Sequence, residues 1–567
     1  MRPAAAIALV SFVAVACMDG SATLVLTNGR IVTVDSTRPE AQAVAISGDR
    51  IIAVGSNEAI QPYVKPTTQV IDLQGKLAVP GFIEGHGHFT GLGESKLQLD
   101  LTTVKNWDEI VAMVRDAAAK AKPGEWILGR GWHQEKWNRP PRPAVEGNPV
   151  HTSLSAASPN NPVYLTHASG HASFVNARAL QEAGITRTTR NPDGGEIVRD
   201  RQGNATGLLR ETAQRLTGEA RARAAAGRSA ADREARLRQV VDLAGKDALS
   251  KGITSFHDAG TGFETIDFLK RMADEGTLPL RLYIMVRREP NPRMDSLLPR
   301  YRMIGYGNNM LTVRAIKRQI DGALGSHGAW LLEPYADLPR SSGLVLESVE
   351  DITGTAEIAI KHGFQVNTHA IGDRANREVL DIYEKVFAAN PGKRDLRWRI
   401  EHAQHVHPND VPRFKQLGVI ASMQGIHTTS DAPWIEAKLG PQRTKSESYL
   451  FRQMWDAGIV ITNGTDVPVE NANPIPSFDG MVSRRTQQGW VFLPEQRLTR
   501  EEALRTYTLN NAYAAFQERD LGSISVGKLA DIAVLTKDIM TVPEREIGTA
   551  AVEYTILGGV VKYQRGK

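Results

Sequence analysis

Hydrophobic and polar residues follow two different patterns along this chain, and each pattern predicts a different structure. Between residues 22 and 79, short apolar segments alternate with polar residues, and turn formers such as Asn28-Gly29 and Gly48-Asp49 separate them. The chain from Gly522 onward has the same alternation of short apolar segments and polar residues. Such alternation is typical of antiparallel strands with one buried face. We therefore predict that residues 22–79 and 520–567 pair into one small β-sandwich.

The long middle part of the chain alternates apolar strand-like segments with amphipathic helical segments, which is the pattern of a parallel sheet. The segment Ser229–Leu249, for example, repeats apolar residues along one helical face. Eight strands with intervening helices predict an α/β fold, a (β/α)8 TIM-type barrel over residues 80–519. An insertion at about 95–225 follows the first strand. The candidate strands end at His88, Asp258, Val286, Lys317, His369, His402, Met423 and Asp466.

The first 17 residues have the composition of a targeting segment. Arg2 precedes an apolar run from Ala4 to Ala16, which is too short to span a bilayer but suits a signal peptide. The run ends at Cys17, the single cysteine of the chain, and there it resembles a bacterial lipoprotein signal. We predict export to the periplasm or the cell envelope, with a lipid anchor at Cys17. A plain secretory signal is the alternative, and in both cases no disulfide stabilises the protein.

The charge of the chain does not indicate a macromolecular partner. The net charge of +5 arises from 68 basic and 63 acidic residues, and the basic residues form no continuous stripe. This distribution argues against nucleic-acid binding. A small-molecule substrate is the expected partner, and the sequence leaves the oligomeric state open.

Candidate metal ligands lie at the predicted ends of several strands. Side chains alternate along a strand, so His86 and His88 point the same way. In barrels of this kind, catalytic residues lie at the carboxyl ends of the strands. Histidine and carboxylate ligands suit zinc, with manganese or iron as alternatives. The candidate ligands are His86, His88, Lys317, His369, His402 and Asp466.

Longer motifs around these residues resemble the amidohydrolase superfamily, and within it the branch of the N-substituted formamide deformylases. The resemblance implies two metal ions, zinc by preference, that are bridged by a carboxylated Lys317. It also implies that Asp466 is a ligand. The motifs are Pro80-Gly81-Phe82-Ile83-Glu84-Gly85-His86-Gly87-His88, Asp321-Gly322-Ala323-Leu324-Gly325-Ser326, His369-Ala370-Ile371-Gly372-Asp373-Arg374-Ala375, Arg399-Ile400-Glu401-His402-Ala403-Gln404, Gly464-Thr465-Asp466-Val467-Pro468-Val469 and Gly527-Lys528-Leu529-Ala530-Asp531.

These features predict an exported hydrolase that cleaves a non-peptide C–N bond of an amide, N-acyl or cyclic amide substrate. A metal-activated hydroxide would attack the carbonyl, with Asp466 as the general acid and base. A lactone or ester hydrolase on the same site is an alternative, because hydroxide attacks either carbonyl. A non-catalytic binding protein on an inherited barrel is another, although such a protein is expected to lose ligands.

Further residues are candidates for binding the substrate. His171, in the insertion, matches a glycine-histidine pair of the deformylase branch and is expected to contact the substrate carbonyl. Trp132, His257 and His327 are additional candidates, while His405 is expected to lie in a solvated loop. Glu84 stands where the family usually has an aspartate, and His327 stands where an arginine is expected. These departures put a deformylase substrate in doubt but leave the metal ligands intact.

Overall fold

The computed structural model describes residues 20–567. The predicted signal segment with Cys17 lies outside the described residues. Among residues 20–567, no helix is long and apolar enough to cross a membrane.

Eight parallel strands form the centre of the molecule, and they follow each other in chain order around a nearly closed barrel. The backbone closes the barrel at its carboxyl end, where Asp466 N–H donates to His86 O at 2.7 Å and His88 N–H donates to Val467 O at 2.7 Å. The prediction of a TIM-type (β/α)8 barrel is confirmed. The strands are β1 (Phe82–Gly87), β2 (Ile253–Thr261), β3 (Arg281–Val286), β4 (Leu311–Gln319), β5 (Gln365–Ala370), β6 (Arg399–His402), β7 (Ile420–Met423) and β8 (Ile461–Asn463).

Amphipathic helices bury their apolar faces in the large core that includes the barrel strands. Ser229 begins the longest of them by accepting a hydrogen bond from Asp232 N–H, as an N-cap serine does. The helices of this region are Phe89–Ser95, Ala230–Leu249, Phe263–Asp274, Asn291–Tyr301, Tyr306–Asn309, Val349–His362, Asp373–Ala389, Val411–Leu417, Gly425–Leu439, Pro441–Glu447, Phe451–Asp456, Pro474–Val482, Arg500–Tyr507, Leu509–Ala514 and Glu544–Ile547.

Strands from both ends of the chain form two sheets with a common core. The strand Leu77–Pro80 connects this core to the barrel. Ala78 faces the core between the two sheets, and Leu77 and Val79, on the other face of the strand, pack into the barrel core. One sheet has the order Arg50–Gly55, Ala43–Ser47, Leu24–Thr27, Gln69–Asp72. The other has the order Val560–Gln564, Val552–Leu557, Ile532–Leu535, Leu77–Pro80, Arg30–Val32, Glu40–Ala41.

The segment between β1 and β2 contains a sheet of its own and carries residues to the carboxyl end of the barrel. The indole of Trp132 and the ring of Trp107 belong to the core of this sheet. The strands, in sheet order, are Gly195–Arg199, Ala205–Glu211, Ala172–Val175, Val163–His167, Ile127–Trp132 and Leu99–Asp100. The helices are Trp107–Ala118, Thr152–Ala157, Ala177–Glu182 and Gln214–Ala225.

Candidate metal centre

Three side chains from different barrel strands converge at the carboxyl end of the barrel. His86 lies in β1, His402 ends β6, and Asp466 follows β8. One ligand atom of each lies within 4.8 Å of the other two, and all three side chains are buried. Non-glycine residues rarely adopt a positive φ, yet His402 has φ 78° and Asp466 has φ 56°. This backbone strain is located where the two side chains meet, as is common at functional sites.

Buried hydrogen-bond partners fix the orientation of two of these imidazoles. The Nδ1 side of His86 contacts the Glu401 carboxylate, which leaves Nε2 at 3.5 Å from Asp466 Oδ1. The Nδ1 atom of His402 lies 2.8 Å from the side-chain oxygen of Gln424. Residues that hold the second nitrogen of a ligand imidazole set both its tautomer and its direction. Glu401 and Gln424 therefore belong to the site, although the sequence reasoning did not single them out.

Lys317, His88 and His369 complete the ring of candidate ligands. Lys317 Nζ lies 3.3 Å from His86 Nε2, and His88 Nε2 lies 3.2 Å from Asp466 Oδ1. The His369 ring centroid is 4.5 Å from that of His402. The structure thus brings all six predicted ligands to one end of the barrel.

A buried carboxylate lies next to His369. Asp321 Oδ1 lies 3.4 Å from His369 Nε2, and the carboxylate accepts hydrogen bonds from the backbone N–H groups of Trp330, Ile371 and Gly372. Burial raises the pKa of Asp321 to about 7 despite these bonds. The motif containing Asp321 was recognised in the sequence, but its contact with His369 is visible only in the structure.

Glu84 anchors the turn that carries Asp466. Its carboxylate accepts the backbone N–H of Thr465 at 2.6 Å and the Thr465 hydroxyl at 3.0 Å. A Cβ atom at Gly464 would lie 2.4 Å from Glu84 Oε1, so only glycine allows this approach. Burial raises the pKa of Glu84 to about 8. The glutamate that departs from the family pattern therefore acts on the backbone beside Asp466.

The electrostatics of the cluster suit a divalent metal. Burial is the largest cause that lowers the pKa of His86, His88, His369 and His402, and for His88 the pKa falls to about 3. Neutral imidazole is the form that binds metals. Asp466 Oδ1 is buried and accepts no hydrogen bond from residues 20–567. Burial also lowers the pKa of Lys317, to about 8. Neutral nitrogen donors beside a carboxylate form a donor set for zinc.

The cluster opens into a pocket that the barrel and the insertion line together. The insertion contributes the polar side chains of His133, Lys136, His167, Ser169 and His171. The barrel side contributes His369, His402, Gln404, His427, Asp431, Trp434, Asp466 and Glu470. Leu324, Ile371 and Val469 add apolar surface, so the walls of the pocket are mixed.

Of the predicted substrate-binding residues, only His171 lines this pocket. Burial alone would lower the pKa of His171, but Glu211 and more distant acids raise it above its ordinary value. Trp132 and His327 instead line an adjoining cavity of about 380 Å³. There the Trp132 indole N–H donates to Leu165 O, and His327 Nε2 lies 3.1 Å from Asp337 Oδ1.

Two other histidines lie away from the pocket. His257 is buried with its Nδ1 at 3.2 Å from an Arg399 guanidinium nitrogen and its ring against Tyr283, and it is not among the residues that line the pocket. His405 was expected in a solvated loop, but this expectation is wrong. Its ring is buried and hydrogen-bonded to the Ser448 hydroxyl at 3.0 Å, because the segment after β6 packs beneath Glu447 and Ser448.

Comparisons with known proteins agree with this geometry. The model of the amidohydrolase family matches residues 69–563. The protein LONG AFTER FAR-RED 3 of Arabidopsis thaliana is 36% identical over 557 residues, which cover 96% of this chain and 92% of that protein. The N-substituted formamide deformylase of Arthrobacter pascens is 29% identical over 556 residues, with 96% and 98% covered. The crystal structure of a metal-dependent hydrolase from Pyrococcus horikoshii is 26% identical with a TM-score of 0.71, and 92% of this chain and 99% of that chain are covered.

Proposed function

This chain belongs to the amidohydrolase family, and from that premise we propose that it hydrolyses a non-peptide C–N bond in an amide, N-acyl or cyclic amide substrate. The observation that carries the proposal is the convergence of His86, His402 and Asp466 within 4.8 Å at a pocket that the barrel and the insertion line together. The deformylase activity for which the relative from Arthrobacter pascens is named supports the bond type.

The six side chains described above would hold two divalent ions, zinc by preference. Bound there, such ions polarise the substrate carbonyl and lower the pKa of a water to ~7. Lys317 would bridge them as a carbamate, formed when its neutral amine adds to carbon dioxide and loses a proton. Its burial and lowered pKa support this proposal, because only the neutral amine reacts.

The side chains of the protein would transfer the proton and position the ligands and the substrate. Asp466 would accept the proton of the attacking water and deliver it to the leaving nitrogen, so that an amide and water give a carboxylic acid and an amine. Glu401, Gln424 and Asp321 would keep His86, His402 and His369 in the required orientation. The pocket wall would hold the substrate carbonyl close to His171.

Export is part of the same proposal and rests on the sequence of residues 1–17. The apolar run and Cys17 support delivery to the cell envelope with a lipid anchor. A plain secretory signal would place the same hydrolase free in the periplasm.

The first test is the metal content of the purified protein, followed by hydrolysis of a panel. We expect one to two divalent ions per chain and faster turnover of amides, represented by N-benzylformamide, N-acetylglycine and 5,6-dihydrouracil, than of γ-butyrolactone. Faster turnover of the lactone would replace the C–N hydrolase by a lactone hydrolase. Substoichiometric metal, with no activity restored by zinc or manganese, would favour a non-catalytic binding protein.

A further inference from the structure

A histidine of the insertion is paired with a buried glutamate at the edge of the metal pocket. His171 Nδ1 lies 2.8 Å from Glu211 Oε2, and the two side chains are 13% and 3% exposed. Their backbones are also joined, because Glu211 N–H donates to His171 O at 2.8 Å. Glu211 ends its strand with φ 48°, a conformation that is rare for a residue other than glycine. A strained residue with a buried charge is costly to retain, which points to a role beyond packing.

A barrel loop surrounds the second carboxylate oxygen of the glutamate. Glu211 Oε1 lies between two glycines of the loop after β4, where a Cβ atom at Gly322 or Gly328 would approach it to 2.2 Å or 2.4 Å. The Ser326 hydroxyl lies 3.4 Å from the same oxygen. This loop begins with Asp321, the carboxylate that supports His369. One barrel loop thus fixes both a candidate metal ligand and the partner of His171.

The pairing determines which edge of the imidazole faces the pocket. With Nδ1 occupied by Glu211, the Nε2 edge remains, and it has no hydrogen-bond partner among residues 20–567. The His171 ring centroid lies 5.3 Å from that of His369. The carboxylate at Nδ1 fixes the direction of the ring, so that the Nε2 edge is the one presented to the pocket. The Nε2 atom therefore lies beside the candidate metal centre.

We propose that Glu211 is a positioning residue, which holds His171 so that its Nε2 atom hydrogen-bonds the reacting amide group of the substrate. The inference rests on the proposed function, because it names a further contact in the same site. Charge develops on that group as water adds to the carbonyl, so a hydrogen bond held in place there acts on the transition state. Loss of one positioned hydrogen-bonding group at a reacting carbonyl lowers kcat by ~10²–10³.

A double-mutant cycle tests whether Glu211 acts through His171. On the panel substrate that is hydrolysed fastest, we expect His171→Ala to lower kcat by ~10²-fold or more and Glu211→Gln to lower it by at least ~10-fold. KM should change less than threefold in both variants. The double variant should lie within about twofold of His171→Ala, because the glutamate has no effect without its histidine. Losses that multiply would overturn the proposal.

The matched control is Glu196→Gln. Glu196 lies in the neighbouring strand, next to Gly195, and Gly195 is the residue that pairs with Glu211. The carboxylate of Glu196 binds Arg210 and not His171. Turnover of this variant should equal that of the wild type. A loss similar to that of Glu211→Gln would show that any lost carboxylate of this sheet disturbs the pocket, and would overturn the assignment.

A second readout needs no substrate. In zinc-loaded protein labelled with ¹⁵N-histidine, the His171 imidazole signals, identified by their loss in His171→Gln, should shift in Glu211→Gln and stay unchanged in Glu196→Gln. An unshifted His171 signal in Glu211→Gln would overturn the positioning role. A shift in a protein that hydrolyses none of the panel would support the positioning role while the proposed function fails.

Discussion

The Glu401 carboxylate contacts the Nδ1 side of His86, and the Nε2 side of the same ring lies 3.5 Å from Asp466 Oδ1. Burial alone would raise the pKa of Glu401, but His86 and nearby cations bring it to about 2. The glutamate therefore stays charged next to a buried imidazole. A charged acceptor at Nδ1 keeps the proton there and leaves the Nε2 lone pair free for a metal.

Glu401→Gln should weaken metal binding without removing a ligand. The amide can still contact His86 but no longer carries the charge that fixes its tautomer. We expect affinity for zinc to fall by ~10–100-fold, measured by competition with a chromophoric chelator. Glu384→Gln, at an exposed ion pair with Arg413, is the matched control and should bind zinc like the wild type. Equal affinity of the two variants would contradict a role of Glu401 at the metal.

The sequence predicts the barrel well because its signals are local. Apolar strands such as Leu282–Val286 and the helix after Ser229 carry their periodicity within a few residues, and most strand ends differ by only a few positions from the structure. β2 continues three residues beyond the predicted Asp258, to Thr261, and β8 (Ile461–Asn463) ends three residues before the predicted Asp466. There the turn is held by Glu84, a contact across 381 positions that no local pattern encodes.

The strand ends predict the part of the site that belongs to the barrel itself. The ends of parallel strands meet at one edge, so His86, His402 and Asp466 are placed together by their positions at those ends. The direction of side chains in the insertion and in the long loop after β4 is not predictable in this way, because it depends on how these segments pack over the barrel. His171 of the insertion lines the metal pocket, whereas Trp132 of the insertion and His327 of the loop after β4 line the neighbouring cavity.

His402→Ala should abolish metal binding and hydrolysis while unfolding remains cooperative. The lost imidazole is one of three side chains, with His86 and Asp466, whose ligand atoms converge within 4.8 Å, so the remaining donors cannot close the site. The matched control is His405→Ala, which removes an equally buried ring that contacts Ser448. Metal analysis should show a normal content in His405→Ala, even though its melting temperature falls. A full metal content in His402→Ala would contradict the assignment of His402 as a metal ligand.

Cys17→Ala should convert a membrane-associated protein into a soluble or unprocessed one. Stable anchoring needs more than one acyl chain, as a bacterial lipoprotein carries, and the cysteine is the site that would carry them. The measurement is fractionation of the wild type and the variant between membrane and soluble extracts. A wild type that is already soluble would leave the plain signal peptide as the remaining alternative.

Glu447→Gln should stabilise the protein at pH 8 but not at pH 5. Burial and the nearby Asp373 carboxylate raise the pKa of Glu447 to about 7. An unfolded glutamate has a pKa of ~4.3, so the folded state binds more protons between these values and the free energy of unfolding falls as pH rises through this window. The amide of Glu447→Gln does not ionise, so the variant avoids this decrease in the free energy of unfolding. Melting temperatures of wild type and variant at the two pH values measure the difference, with the exposed Glu436→Gln as the control. An equal shift at both pH values would contradict the assignment.

Asp466→Asn should separate the chemistry from metal binding. The amide nearly keeps the shape of the carboxylate, but it cannot accept the proton of the attacking water. We expect turnover to fall by ~10²–10⁴, the usual contribution of a positioned acid–base group. Part of the metal content should survive because the histidines remain, with some loss of the ion that Asp466 itself contacts. Kinetics and metal analysis on the same preparation measure both effects.

The control and the pH profile decide between the roles of Asp466. Asp410→Asn removes a buried carboxylate that pairs with Arg377 and should leave turnover per folded molecule unchanged. In the wild type, the acid limb of the pH profile should report the metal-activated water and Asp466 as one coupled unit. If Asp466→Asn turned over normally, the proton would have to move through another group, and His171, whose ring centroid lies 5.3 Å from that of His369, would be tested next. If the variant instead lost all its metal together with activity, Asp466 would be a ligand first, and its role in proton transfer would need a different probe.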